Sequence, residues 1–116
     1  MDFLSLTDEQ ILAVADPMMD NLMDASTLID HARHVQDFTP RLKRIVTSPY
    51  LEEVCKAYQA ERGLFAKREL VTIMRRPDSA AIVWRQGFTV AQGDYLAEMI
   101  LVHVDGEFMI DHVAVL

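Results

Sequence analysis

The segment Asp30-His31-Ala32-Arg33-His34, with Asp37 just beyond, holds residue types that bind metals. Two histidines at i and i+3 share a helix face, and carboxylates could complete a ligand set. The helical wheel argues against it. Asp30, Arg33, His34 and Asp37 fall opposite a stripe of Leu28, Ala32 and Val35, which reads as a solvated face. Only His31 stands at the edge of the core. Neither the Cys/His spacings of zinc sites nor an HExxH helix is present, so no metal and no cofactor is expected. Cys55, the one cysteine, lies on the inward stripe of its segment. A small buried hydrophobe fits it better than a nucleophile. Glycine-rich phosphate loops and serine elbows are absent as well.

Two further constellations depend on how strands pair. Four strand-like segments joined by two-residue turns would put Arg68, Arg85, Glu98 and Asp111 on one sheet face. They read as a structural ion network before a polar ligand floor, because unpaired buried charges are costly. On the opposite face Glu69, Gln86, Met99 and His112 would form one row. His112 is the best acid–base candidate, since imidazole titrates near neutrality. Glu69 would stand three strand spacings away, roughly 14 Å, too far to bond it directly. A hydrogen-bonded core histidine is the plainer reading. The methionines at 18, 19, 23, 74, 99 and 109 are gap-fillers, or the forgiving wall of an apolar pocket.

Helices come first along the chain. Thr7 with Gln10 makes a capping box, and Ile11, Val14, Ala15, Met18, Met19, Leu22 and Met23 share one arc. The phase holds through Pro17, which predicts one helix over 8–24, bent inward around the core. Asp16-Pro17 also suits an N-cap and N1 pair, which leaves two shorter helices open. Ser26 or Thr27 can cap a second helix, Thr39-Pro40 a third, and Ser48-Pro49 a fourth over 49–62, with Gly63 as its terminator. After Gly63 the period changes from 3.6 to 2. Strands are expected near 64–75, 80–91, 94–104 and 107–115, with Asp105-Gly106 the clearest hairpin turn. This order predicts one α+β domain over 1–116, with N-terminal helices packed on a curved four-stranded antiparallel β-meander.

Composition agrees with that fold. Of 116 residues 51% are hydrophobic and 25% charged, which excludes a disordered chain. Eleven basic against 18 acidic residues give a net charge of −7, so nucleic acid is not an expected partner. A single cysteine rules out an intramolecular disulfide, and Met1-Asp2-Phe3 lacks the basic start of a secretory signal. No apolar run approaches a membrane span of about 20 residues. A cytoplasmic protein without membrane contact is expected. Residues 41–76 carry nine bases and four acids, while both flanking stretches are acidic. The basic middle can lie against the acidic ends within one fold.

Both sheet faces come out apolar, whichever one the helices cover. A sheet with one wet face alternates apolar with polar, so the second face is expected to meet another copy of the chain. Asp16-Pro17-Met18-Met19-Asp20-Asn21-Leu22, the Trp84-Arg85-Gln86-Gly87-Phe88 strand and the hairpin Asp105-Gly106-Glu107-Phe108 carry a family likeness. On them the chain resembles the nuclear transport factor 2-like group of cone-shaped α+β folds, with ketosteroid isomerase and scytalone dehydratase among its members. The resemblance implies a strongly curved sheet, a pocket between sheet and helices, and homodimers. No isomerase-like set of tyrosine and two carboxylates maps onto these residues, and the group mixes enzymes with binders. The expectation is therefore a non-catalytic module for a small apolar or weakly acidic ligand. A proton-transfer enzyme of isomerase or dehydratase type and a structural interaction subunit are the alternatives. The pocket is expected between the helices and the Trp84 face, lined by Tyr58, Trp84, Gln86, Met99 and His112.

Overall fold

A computed structural model describes residues 1–116. After a 3-10 turn at Phe3–Ser5, helix α1 spans Asp8–Leu28. Its capping box forms as the sequence predicts: the Gln10 amide donates to Thr7 Oγ1 at 3.1 Å, and the Thr7 amide donates to Gln10 Oε1 at 2.9 Å. Pro17 stays inside this one helix, on its exposed side. The helix continues past Asp24 because Ser26 and Thr27 spend their hydroxyls elsewhere. Thr27 Oγ1 donates back to the Met23 carbonyl, and Ser26 Oγ bonds Tyr58. Ile29 ends α1 in the left-handed region at φ 53°, and Asp30 caps a single turn, α2, at His31–His34.

That break overturns the helical wheel drawn from Leu28 to Val35. A left-handed residue resets the phase, so Leu28 is 64% exposed while His34 is 8% exposed. His34 belongs to the interior. Helix α3 is Pro40–Ile45 and α4 is Ser48–Arg62, each with a threonine cap (Thr39, Thr47) and a proline in its first turn. Gly63 ends α4 at φ 85°, and a Cβ there would stand 2.3 Å from Thr89 Oγ1. Glycine is the residue this junction tolerates.

Strands β1 (Phe65–Arg75), β2 (Ser79–Phe88), β3 (Tyr95–Val104) and β4 (Glu107–Val115) form an antiparallel meander in chain order. The α+β class and the helices-then-meander order are those predicted. Asp105 and Gly106 make the tight β3–β4 turn at φ 51° and 83°. The β2–β3 connection is longer than two residues, because the Val90 and Ala91 amides reach back to the Arg62 carbonyl and close the end of α4. This detour displaces the register. Gln86 pairs with Tyr95 and Arg68, whereas Met99 pairs with Ile82 and Val113, so the predicted Glu69–Gln86–Met99–His112 row does not form.

Irregularities in two strands shift the register further. Pairing shifts twice in β1, between Phe65 and Arg68 and between Leu70 and Thr72, and once opposite Ile100/Leu101 in β4. A one-residue bulge exchanges the faces of everything beyond it. Ile110, before the bulge, points inward; Asp111 is the extra residue, and beyond it Val113 and Val115 pack on the core while His112 stands exposed on the outer face. In β1 the shifts bring Arg68 inward beside Gln86 and Trp84 and turn Glu69 outward beside Arg85.

The helices cover the face of Ile82, Trp84, Gln86 and Phe88, all buried. The opposite face has no cover: Val71, Met74, Leu96 and Val104 are exposed there, with Val83, Ile100 and Val102 half-buried. Residues 37–39 run parallel to β4, with the Ile110 amide donating to the Asp37 carbonyl at 2.7 Å. No helix is long and apolar enough to cross a membrane.

Candidate functional site

Between α4 and the second half of β4 lies a cavity of about 300 Å³. Helix α4 lines it along one stripe, with Leu51, Cys55, Tyr58 and Arg62 at the i, i+4, i+7, i+11 spacing of a single face. Leu22 and Ser26 of α1, Phe65, Phe88, Val113 and Val115 complete the apolar wall. Thirteen of 16 lining residues are hydrophobic, the composition of a binding hollow and not of a water channel.

Its polar groups are few and placed. Ser26 Oγ sits 2.9 Å from Tyr58 Oη and 3.2 Å from Cys55 Sγ, so one hydroxyl ties α1 to α4 at the wall. Gln59 Nε2 strengthens that tie by donating to the Thr27 carbonyl at 3.2 Å. Burial pushes the Cys55 thiol up, against a weaker opposing pull from the Ser26 hydrogen bond. A protonated, buried thiol is a poor nucleophile. His34 contributes the second polar feature. Its ring packs edge-on to Phe38 at 5.4 Å, and Nδ1 has no hydrogen-bond partner and no solvent. Burial, with His31 nearby adding repulsion, lowers its pKa to about 4. At neutral pH the cavity thus presents a neutral imidazole, a neutral thiol, two phenols, the Ser26 hydroxyl and one cation, Arg62. No aspartate or glutamate lines it.

Of the five residues predicted for the pocket, Tyr58 alone lines this cavity. Trp84 is 2% exposed and covered by the Arg68 guanidinium at 5.3 Å. Met99 is wholly buried in the core. Gln86 is also wholly buried and donates to the Gly87 carbonyl at 2.8 Å and the Ala66 carbonyl at 3.2 Å, bracing the β1 irregularity. His112 faces out and bonds Glu98 Oε1 at 2.9 Å. The ion network dissolves in the same way. Arg68 holds Asp20 at 2.7 Å, Arg85 holds Asp94 at 3.3 Å, and Asp111 accepts from Thr39 and Arg41.

Three site residues escaped the sequence reading. Ser26 continues the arc of Met19, Leu22 and Met23, and Arg62 continues the Leu51–Cys55–Tyr58 stripe, so both carried a legible signal. His34 carried none, because its direction depends on the left-handed residue at 29. The types gathered at Asp30–Asp37 do not converge either, and no group of three His, Cys, Asp or Glu is placed to hold a metal ion.

No family model matches the chain, and no curated protein is significantly similar to it. Among solved structures, the chain is similar to the solution structure of a SEC-C motif containing protein from Rhodopseudomonas palustris. The TM-score is 0.61 at 13% identity, over 86% of this chain and 77% of that one. At such identity the likeness is one of fold.

Proposed function

We propose that the chain is a non-catalytic, cytoplasmic small-molecule-binding module whose site is the α4–β4 cavity. The observation that carries this reading is an apolar hollow of about 300 Å³ with few polar side chains in its wall. Roughly 150 Å³ suffices for a benzene-sized guest, so the volume admits a small organic molecule. Proton-transfer chemistry is the weaker reading. It needs a base and an acid with separated pKa values, and this wall holds no carboxylate and a histidine held neutral.

The uncovered sheet face favours a second, compatible reading, pairing of two copies through Val102 and its neighbours. Kinship with the nuclear transport factor 2-like group is also proposed. The helices-then-meander order, the bulged strands and a cavity between helix and sheet support it.

The test of the binding reading uses N-phenyl-1-naphthylamine, a neutral dye that brightens in apolar cavities. One-to-one saturable binding is expected, and Val54→Trp, which fills the cavity from its rim, should weaken it at least tenfold. Absence of saturable binding, or binding indifferent to that substitution, would refute the assignment.

A further inference from the structure

Four arginines of this chain are half-buried: Arg33, Arg62, Arg68 and Arg75. Three of them hold aspartates, Arg33 with Asp24, Arg68 with Asp20 and Asp16, and Arg75 with Asp8. Arg62 holds none. Its guanidinium makes no hydrogen bond and no ion pair with the protein, although the chain carries 18 acidic residues. What positions it is aromatic: its central carbon lies 4.6 Å from the Tyr95 ring centre and 5.6 Å from that of Phe88. Cation–π contacts hold the group without using its N–H donors.

Arg62, the last residue of α4, lines the cavity, and its guanidinium lies against the ring of Phe88, another lining residue. The cavity's α4 wall runs from Tyr50 to Arg62, about 18 Å at 1.5 Å per residue. A hollow of about 300 Å³ drawn out over that length is a slot and not a bowl. Arg62 is its one cationic lining residue, and no aspartate or glutamate side chain lines it. Resting on the binding function proposed above, we infer that the slot takes a medium-chain aliphatic carboxylate, with the alkyl chain against Leu51 and Val113 and the carboxylate on Arg62. A single guanidinium matches a single carboxylate through two parallel N–H···O bonds. The negative pole of the helix dipole at the end of α4 opposes any anion there, and a phosphate dianion about twice as strongly as a carboxylate, which makes phosphate the poorer match.

Calorimetric titration with decanoate and with decanol, below micelle formation, separates the apolar from the ionic contribution. The wild-type protein should bind both one-to-one, decanoate at least tenfold tighter. Arg62→Gln should remove that preference by weakening decanoate alone, and Arg62→Lys should restore part of it. Added salt should weaken decanoate and spare decanol. Equal affinities in the wild-type protein, or a preference that survives Arg62→Gln, would overturn the inference while leaving the cavity assignment standing. Failure of both compounds to bind would remove the two together.

Discussion

Substituting His34 by glutamine should flatten the stability of this protein between pH 7.5 and pH 4.5. The imidazole titrates near 6.5 when free and at about 4 in the folded chain, burial being the main cause. Between those values the unfolded chain binds a proton that the folded chain refuses. Stability is therefore full above about 6.5 and falls as the pH drops toward 4. Integrating that difference from pH 7.5 to 4.5 gives a loss of about 2–3 kcal/mol from this one residue. Domains of this size are stable by only about 5–15 kcal/mol, so the loss is readily measured. Urea unfolding of wild type and His34→Gln at both pH values supplies the four numbers. Groups that do not interact with His34 are common to both proteins and cancel in the comparison. The wild-type protein should lose about 2–3 kcal/mol more than the variant, at unchanged m. Equal losses would mean that His34 is solvated and that the cavity wall is wet, and the dry, neutral imidazole would have to be given up.

Gly63→Ala should cost about 1–3 kcal/mol in thermal or urea unfolding from its backbone conformation alone, with the approach to Thr89 adding to it. Arg68→Met should cost only about 0–1 kcal/mol, because the Asp16 and Asp20 carboxylates it leaves are largely exposed and water takes its place; it should also shift the emission of Trp84, which Arg68 covers. Sedimentation at micromolar concentration should show a dimer that Val102→Lys weakens and Lys43→Glu, on an exposed helix, does not. A 13 kDa species alone would refute the pairing.

Local signals carried the fold. The Thr7 capping box, the Thr39-Pro40 start, Gly63 and the Asp105-Gly106 turn each depend on residues within a few positions, and each forms as read. The site was less legible, because its residues are aimed by events with no local mark. One is the left-handed Ile29, a β-branched residue where glycine or asparagine would have announced the turn. Another is the β2–β3 connection, whose length answers to the end of α4, a helix far earlier in the chain that meets it only in the folded state. Tyr58 was found because it lies on a helix stripe, which survives ignorance of the register. Trp84, Gln86, Met99 and His112 lie on strands, where facing and partners both hang on register.

The bulge at Asp111 decides what kind of cavity this is. Thr39 Oγ1 donates to Asp111 Oδ1 at 2.8 Å and Arg41 Nε at 3.2 Å, so the start of α3 holds the extra residue in place. Because it is there, Val113 and Val115 pack inward, and His112 pairs with Glu98 on the uncovered face. A straight β4 would turn the set over, aiming His112 inward and the two valines outward. The chain does own an imidazole–carboxylate pair of the sort that moves protons, with Nε2 and Oε1 2.9 Å apart. It stands on an open sheet surface, where water competes for every proton and no wall holds a substrate. The hollow that could hold one keeps a neutral histidine, a protonated thiol and an arginine without a carboxylate. One inserted residue thus separates the acid–base pair from the cavity, and the cavity is left with the means to bind and without the means to transfer a proton.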